Sequence, residues 1–166
     1  MAIIKTIRGF TPQFGKNIFL ADNAVIVGDV IMGDDCTAWF NAVVRGDVHY
    51  IRIGNKVNIQ DCAVIHCTYQ KAFTIIGNNV SIGHSAIVHG CTLEDQVLIG
   101  MGAVVMDGTV VQTGSIIAAG AVCREGFVIP PNSLAMGVPA TDLGVQRHLV
   151  SVVSIVKVVE ARKAKP

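Results

Sequence analysis

Three histidines stand in the middle of the chain at spacings that suit a metal ion. His84 and His89 lie five residues apart in the stretch SIGHSAIVHG, and His66 precedes them. Neutral imidazole is the commonest metal ligand among protein side chains. Three such nitrogens with a fourth position left open are typical of catalytic zinc sites rather than closed structural ones. The chemistry to consider is activation of water by a metal, and the elements that position the histidines decide whether it is feasible.

A six-residue repeat supplies those elements. An aliphatic residue recurs every six positions, often followed by glycine, with a small or β-branched residue four positions later. The clearest run is Leu93, Ile99, Val105, Val111, Ile117, Cys123 and Ile129. An antiparallel sandwich holds no fixed six-residue period, and helical repeats have longer units. The pattern predicts a parallel β-helix over about Ala21 to Ser133, with one short strand per hexapeptide and the aliphatic residue pointing inward.

Counting along the predicted coils aligns three inward-pointing residues. The step from Val44 to Ile65 is 21 residues, and the step from Ile65 to Val88 is 23. Three hexapeptides, about 18 residues, close one coil, so each step contains a short insertion. We place these insertions within Val48 to Arg52 and near Tyr69 to Phe73. The three aligned residues then lie on one face in successive coils.

The residues that follow them form a ladder along one edge, made of Arg45, His66 and His89. His84 does not join this ladder, because it lies on the preceding face and stacks with Asp61, which stands 23 residues earlier. His66 and His89 are therefore expected to share a metal ion that His84 of the same chain does not reach. A neighbouring copy supplies the third imidazole if threefold symmetry closes the assembly. The sequence predicts a homotrimer with a metal site at each interface.

Several motifs in this frame resemble those of the gamma-class carbonic anhydrase family. They are RGD at Arg45 to Asp47, NIQD at Asn58 to Asp61, the three histidines, GMGAVVMDG from Gly100 to Gly108, and GVPA at Gly137 to Ala140. The resemblance covers nearly the whole chain. It implies a left-handed coil, and a metal held by His66, His84 and His89, two from one subunit and one from the next. The expected reaction is the reversible hydration of carbon dioxide.

The resemblance also implies roles for the residues around the metal. Arg45, Asp47 and Asp61 match the interface ion-pair residues of the family. Gln60 matches the glutamine beside the metal-bound solvent, and Asn58 a nearby polar residue of that pocket, so these two are the candidate catalytic helpers. Zinc is the expected metal, and iron(II) or cobalt also suits imidazole ligands.

Two departures from the family pattern concern proton transfer. The founding type of the family has a glutamate directly after RGD, where this chain has Val48. That type also has an acidic loop after the first histidine, whereas Cys67 to Ile75 contains no aspartate or glutamate. Rapid hydration requires the metal-bound water to lose a proton in each turnover. We therefore expect low or buffer-assisted activity.

Three other functions remain open at this stage. One is a metal-dependent hydrolase, such as an acyl-CoA thioesterase. Another is a hexapeptide acyltransferase, which shares the coil but typically uses a single catalytic histidine. The last is a trimer in which the metal is purely structural. The three-histidine set favours the first of these over the acyltransferase.

Composition limits the partners and the compartment. The net charge of the 166-residue chain is +1, which predicts no electrostatic attraction to nucleic acid or to a membrane surface. Polar residues interrupt every apolar run before it reaches a spanning length, and the first residues show no secretory signal. The five cysteines have no CxxC spacing and are expected to be free, packed thiols in a reducing cytoplasm. The expected ligand is a small molecule.

The chain is expected to change character after the repeat. Pro130, Pro131 and Pro139 stand where the ladder should stop, since proline donates no hydrogen bond. We divide the chain into a β-helix domain over residues 1–139 and a C-terminal α-helix over 140–166 that packs on it. An apolar stripe at helical spacing supports the helix, with Asp142 as its N-terminal cap. The richness of this segment in valine favours a strand as the alternative.

Overall fold

A computed structural model describes residues 1–145, which form twenty short β-strands and no helix. In chain order the strands are β1 (Ile3–Lys5), β2 (Gln13–Phe14), β3 (Phe19–Leu20), β4 (Val25–Met32), β5 (Thr37–Ala38), β6 (Val43–Ile53), β7 (Asn58–Ile59), β8 (Val64–His66), β9 (Thr74–Ile76), β10 (Ser81–Ile82), β11 (Ile87–His89), β12 (Thr92–Leu93), β13 (Leu98–Ile99), β14 (Val104–Val105), β15 (Val110–Val111), β16 (Ile116–Ile117), β17 (Val122–Cys123), β18 (Val128–Ile129), β19 (Ser133–Gly137) and β20 (Ala140–Val145). The predicted all-β class is confirmed.

The strands wind as a left-handed parallel β-helix of about seven coils with three faces. Face A stacks β1, the first halves of β4 and β6, then β8, β11, β14 and β17. Face B stacks β2, the second halves of β4 and β6, then β9, β12, β15 and β18. Face C stacks β3, β5, β7, β10, β13, β16 and β19. Backbone groups of each coil pair with the coils above and below.

One inward residue per strand builds the core. The columns are Ile26, Val44, Ile65, Val88, Val105 and Cys123 on face A; Met32, Ile53, Ile76, Leu93, Val111 and Ile129 on face B; and Ala38, Ile59, Ile82, Ile99, Ile117 and Ala135 on face C. Every one of these residues is buried. These side chains form the triangular interior, and their burial stabilises the β-helix by roughly 1.5–3 kcal/mol per large side chain.

Two insertions leave the frame intact, as the sequence predicts. Gly28 pairs with Gly46 and Val30 pairs with Ile51, so the extra residues of the first insertion lie in between. The second insertion forms a small projecting loop that closes where Thr68 pairs with Ala72. The first insertion is an irregularity within the continuous strand β6, and the strands on either side of both insertions stay in register.

The two ends of the helix differ from the sequence expectation. Coils begin already at β1, before the predicted start near Ala21. The repeat did not reveal this first coil, because its residues lack the aliphatic-glycine pattern. At the other end, the helix predicted to start at Ala140 is wrong for residues 140–145, which form β20. This strand runs antiparallel to β19 and covers the last parallel edge. The remainder of the predicted helix, residues 146–166, lies outside the described residues.

The cysteines are free thiols that mostly fill the interior. Cys36, Cys67, Cys91 and Cys123 are buried, and Cys62 is exposed at a corner. Burial raises the pKa of the Cys67 and Cys123 thiols to about 11 each, so both stay protonated near neutral pH. The predicted packing role of Cys67 and Cys91 is confirmed by their burial. Residues 1–145 contain no helix long and apolar enough to cross a membrane.

Candidate metal centre

His66 and His89 meet at the corner where face A turns into face B. β8 and β11 pair in parallel, with Ile65 opposite Val88 and His66 opposite His89. The inward-pointing Ile65 and Val88 fix the register, so the two imidazoles project side by side from adjacent coils. Nδ1 of His66 lies 3.1 Å from Nε2 of His89. The predicted stacking of these two histidines is confirmed.

A carboxylate holds the far side of the His66 ring. Oδ1 of Asp47 lies 2.9 Å from Nε2 of His66, and Nη1 of Arg45 donates to Oδ2 of the same carboxylate at 2.6 Å. Burial raises the pKa of Asp47, but the hydrogen bonds from His66 and Arg45 outweigh it and hold the pKa below its usual value. Asp47 is therefore ionised near neutral pH and accepts both hydrogen bonds.

A second carboxylate holds the far side of the His89 ring. Oδ1 of Asp107 lies 2.6 Å from Nδ1 of His89, and the hydroxyl of Thr68 donates to Oδ2 at 2.6 Å. Burial raises the pKa of Asp107, yet the bonds from Thr68 and His89 outweigh it and lower the pKa overall. Sequence reasoning missed Asp107, although it stands two residues after Val105, the offset that selects Asp61 after Ile59 and His84 after Ile82.

These contacts determine which ring nitrogens carry protons. An ionised carboxylate only accepts hydrogen bonds, so the ring nitrogen facing it must carry the N–H. In a neutral imidazole the other nitrogen is then a bare lone pair. Burial lowers the pKa of His66, as does the charge of Arg45, although the hydrogen bond to Asp47 opposes both. When both rings are neutral, two bare nitrogens confront each other at 3.1 Å with no hydrogen between them.

This arrangement suits a metal cation. Two imidazole nitrogens bound to one tetrahedral zinc ion at about 2.0–2.1 Å lie roughly 3.3 Å apart, a few tenths of an ångström beyond the observed separation. Metal-binding histidines characteristically donate the opposite ring N–H to a carboxylate, which fixes the ring and the tautomer. His66 and His89 both have such a partner within the chain. These two residues therefore fit a metal ion, which needs further ligands from elsewhere.

His84 lies at a different corner, where face C turns into face A. It follows β10, and its Nδ1 lies 2.9 Å from Oδ2 of Asp61, so the predicted stacking of this pair is confirmed. The His84 side chain is 49% exposed, compared with 15% for His66. Within residues 1–145 of one chain, no three histidine, cysteine or acidic side chains converge on a metal position. A third histidine ligand would have to come from outside residues 1–145 of the same chain.

The two predicted helpers, Gln60 and Asn58, lie on face C near His84. Oε1 of Gln60 accepts the backbone N–H of His84 at 3.2 Å, so its amide nitrogen is the end that remains to donate elsewhere. Asn58 is buried. Its Oδ1 accepts hydrogen bonds from Thr37 and Trp39, and its Nδ2 donates to Ser81. These bonds tie three coils of face C together, and a catalytic role for Asn58 stays a prediction.

Comparison with known proteins places this geometry in a family. Residues 90–125 match the family described as bacterial transferase hexapeptide (six repeats). Over 128 residues the chain is 59% identical to a probable carbonic anhydrase of Methanocaldococcus jannaschii, covering 76% of this chain and 79% of that protein. The chain belongs to the gamma-class carbonic anhydrase-like family. The family prediction from sequence is confirmed.

Other similar proteins are named for more than one function. The chain is 42% identical over 134 residues to the mitochondrial gamma carbonic anhydrase 1 of Arabidopsis thaliana, covering 78% of this chain but only 49% of that protein. A solved structure named as a hexapeptide transferase family protein from Anaplasma phagocytophilum superposes with a TM-score of 0.91 at 34% identity, covering 98% of both chains. The shared β-helix therefore extends to proteins named for a different chemistry.

An open cleft of about 340 Å³ adjoins His89 in this gamma-class protein. Its lining combines polar and apolar side chains: Thr68, Ile87, His89, Val104, Met106, Asp107 and Glu125. The apolar part belongs to the outward surface of face A, beside the histidine ladder. There an unbroken column of half-buried or exposed aliphatic residues consists of Val25, Val43, Val64, Ile87, Val104 and Val122. This strip adjoins His89, because Ile87 and Val104 line the same cleft.

Proposed function

We propose that this protein is a metal-dependent carbonic anhydrase that reversibly hydrates carbon dioxide. The metal, zinc in the first instance, would be held by His66 and His89 of one subunit and His84 of the next in a homotrimer. Iron(II) or cobalt suits the same imidazole nitrogens. The five free thiols favour a reducing compartment such as the cytoplasm.

One observation carries the proposal: Nδ1 of His66 and Nε2 of His89 face each other at 3.1 Å, and a carboxylate lies at the opposite nitrogen of each ring. Two lone pairs at that distance repel each other unless a cation or a proton lies between them. The carboxylates of Asp47 and Asp107 occupy the opposite nitrogens and keep both lone pairs turned inward. A site for a divalent cation explains this arrangement, whereas a core histidine pair needs only one shared hydrogen bond.

Two features support assembly as a trimer. His84 projects from its corner with its Nδ1 held by Asp61, so its Nε2 remains available to bind a metal. Residues 1–145 of the same chain offer no complete metal site that would use this nitrogen. The aliphatic column of face A runs beside His66 and His89, and a second copy seated there would bury it. Burying apolar surface contributes roughly 25 cal/mol per Å². Threefold closure would give each of three interfaces the same ligand set.

The side chains around the metal would divide the work. A zinc ion held by three imidazoles would keep one coordination position open and would supply Lewis-acid activation of water near neutral pH. Asp47, Asp107 and Asp61 hold the rings in place. Gln60 would donate its amide N–H to the oxygen of the bound reactants, because its own oxygen is occupied by His84.

Proton release is expected to limit the rate. Val48 and the acid-free segment 67–75 provide no carboxylate where the family's founding type has one. A soluble base such as imidazole should then accept the proton and raise turnover. Carbon dioxide hydration measured by stopped flow should increase with buffer concentration at constant pH and ionic strength.

Subunit mixing tests the shared site directly. His66→Ala and His84→Ala homotrimers each lack one of the three ligands, so each should lose its metal to a chelator that leaves wild type loaded, and neither should hydrate carbon dioxide. After unfolding and refolding an equal mixture of the two, random assembly should restore about a quarter of the sites, since one subunit then supplies His66 and its neighbour His84. A mixture that stays inactive and metal-free refutes a site shared between subunits. Wild-type trimer that binds metal without hydrating carbon dioxide in any buffer refutes the proposed reaction.

The second candidate is acyl chemistry on a thioester. The high structural similarity to a protein named as a hexapeptide transferase favours it. A panel of acyl-CoA thioesters, assayed for free thiol with and without an acceptor amine, separates hydrolysis from transfer. Thiol release that depends on His66 would favour a metal-dependent thioesterase, and release that survives His66→Ala would favour acyl transfer without the metal.

A further inference from the structure

Thr68 reaches the metal centre although it belongs to the second insertion. Its hydroxyl donates to Oδ2 of Asp107 at 2.6 Å, and Oδ1 of the same carboxylate accepts from Nδ1 of His89 at 2.6 Å. Asp107 is only 8% exposed, so water competes little for these bonds. A hydroxyl, a carboxylate and an imidazole thus form a continuous chain from the loop to the ligand nitrogen.

The backbone of Thr68 is fixed where the loop closes. Its N–H donates to the carbonyl oxygen of Ala72 at 3.0 Å, and the N–H of Ala72 donates back to its carbonyl at 3.2 Å. Beyond this closure, Phe73 stacks on Tyr50 of the first insertion with ring centroids 4.9 Å apart. Because threonine is β-branched, few side-chain rotamers are available to it. Its hydroxyl is therefore aimed at Asp107 by the loop.

The carboxylate of Asp107 depends on that hydroxyl for its orientation. The last torsion of an aspartate side chain is broad and sets no sharp angle by itself. His89 contacts only one of the two oxygens. The bond from Thr68 to the other oxygen restrains the rotation, and with it the plane and tautomer of the His89 ring.

We propose that Thr68 is a positioning residue, which acts through Asp107 to hold His89 in the tautomer that presents Nε2 to a metal. The metal in this statement rests on the proposed function, whereas the tautomer belongs to the metal-free chain. The insertion that lacks a proton acceptor would then serve to orient a ligand.

The first measurement is the imidazole nitrogen spectrum of metal-free protein labelled with ¹⁵N-histidine. Wild type should show His89 protonated at Nδ1, and Thr68→Val should populate the Nε2–H form. Thr68→Ser restores the hydroxyl and should restore the wild-type pattern. Thr113→Val is the matched control, since its hydroxyl bonds Glu94 on an exposed corner far from the centre. His89 found as the Nε2–H tautomer in wild type, or unchanged in Thr68→Val, overturns the proposal.

The second measurement is cobalt(II) affinity with its visible absorption spectrum. Thr68→Val should lower the affinity about tenfold, at the lower end of the effect of losing a partner that orients a ligand. Thr68→Ser should recover most of it, and Thr113→Val should match wild type. Equal affinity in wild type and Thr68→Val refutes the role. If wild type itself binds no cobalt, the proposed function fails, and the nitrogen spectrum alone decides the role of Thr68.

Discussion

At the corner between faces A and B, His66 and His89 lie 3.1 Å apart, and a carboxylate of the same chain holds each ring. At the corner between faces C and A, His84 has Asp61 alone and is 49% exposed. The first corner is organised within one chain before any metal or partner arrives. The second corner presents a single, oriented imidazole to whatever lies outside.

This difference shows how a triangular coil would build the proposed three-ligand centre. Side chains on adjacent coils meet along a shared corner, as His66 and His89 do at one corner and Asp61 and His84 at another, but the corners point in different directions. The proposed centre would therefore take two ligands from one corner and the third from a different corner. Breaking each corner separately measures how far each one contributes on its own.

Removing a ligand should have the largest effect, and the two corners should respond unequally. His66→Ala destroys the facing pair, and we expect metal affinity to fall by more than about 100-fold. His84→Ala leaves the pair intact, so affinity should fall by a smaller factor. Metal content after dialysis and competition with a chelator measure both. Equal losses, or a greater loss for His84→Ala, would contradict the idea that the first corner is the stronger half.

Crowding the first corner should come next. An added Cβ at Gly90 would overlap the carboxylate of Asp107 and lie 2.8 Å from the Cβ of Ala72, and the φ of Gly90 is +56°. Gly90→Ala should therefore reduce metal affinity about 10- to 100-fold and lower the free energy of unfolding by more than the roughly 1–2 kcal/mol that the left-handed backbone costs.

Gly126→Ala is the matched control for this substitution. Its φ is +68°, but an added Cβ meets nothing within 4 Å. Urea unfolding should show the backbone cost alone, with metal affinity unchanged. If both variants lose the same stability and keep the metal, the packing of Asp107 against Gly90 has no bearing on the site.

The orienting carboxylates should produce a smaller contrast. Asp47→Asn removes the charge shared by His66 and Arg45, and we expect a loss of about tenfold in metal affinity. Asp61→Asn affects a more exposed ring, so its loss should be smaller. Isothermal titration of both variants with zinc gives the ranking. A larger effect of Asp61→Asn would mean that the second corner carries more of the ligand orientation than its exposure indicates.

Thiol labelling should distinguish the corners without disturbing either. Cys67 follows His66 and is buried, whereas Cys62 follows Asp61 and is exposed. Burial raises the pKa of Cys67 from 9.0 to about 11, so at pH 8 it forms almost no reactive thiolate. Any label from iodoacetamide at pH 8 should appear at Cys62, as peptide mapping would reveal. Modification of Cys67 without denaturant would show that the first corner opens.

The sequence predicted the first corner better than its surroundings. Because the aliphatic period fixes which residues point inward, counting from Ile65 to Val88 was enough to place His66 against His89. Asp107 was not predicted, because it lies on a third coil and no histidine stands beside it in the sequence. The contact of Thr68 was not predicted, because a hydroxyl in a loop belongs to no periodic sequence pattern. Both are contacts between distant segments, which local patterns do not encode.

The C-terminal error has a different physical origin. A stripe of valines at helical spacing predicted a helix from Ala140, yet residues 140–145 pair with β19. Gly137 and Gly144 both take positive φ values, which suits a hairpin and its end. β-branched residues favour strands, and the unpaired edge of the last coil offers backbone partners to an adjacent segment. Pairing with β19 therefore decides the structure of residues 140–145, and the apolar stripe itself lies almost wholly outside the described residues.

The closure of the second insertion at Thr68 and Ala72 separates a loop tip from the paired strands of the coils. His66 and His89 are fixed by pairing between coils, whereas the loop tip, residues 69–71, lies outside that pairing. Residues can be gained, lost or exchanged at the tip without shifting His66 against His89. In the proposed enzyme, groups that handle the proton can thus be exchanged at the tip while the pair that would hold the metal stays in place, so turnover and metal affinity can change independently.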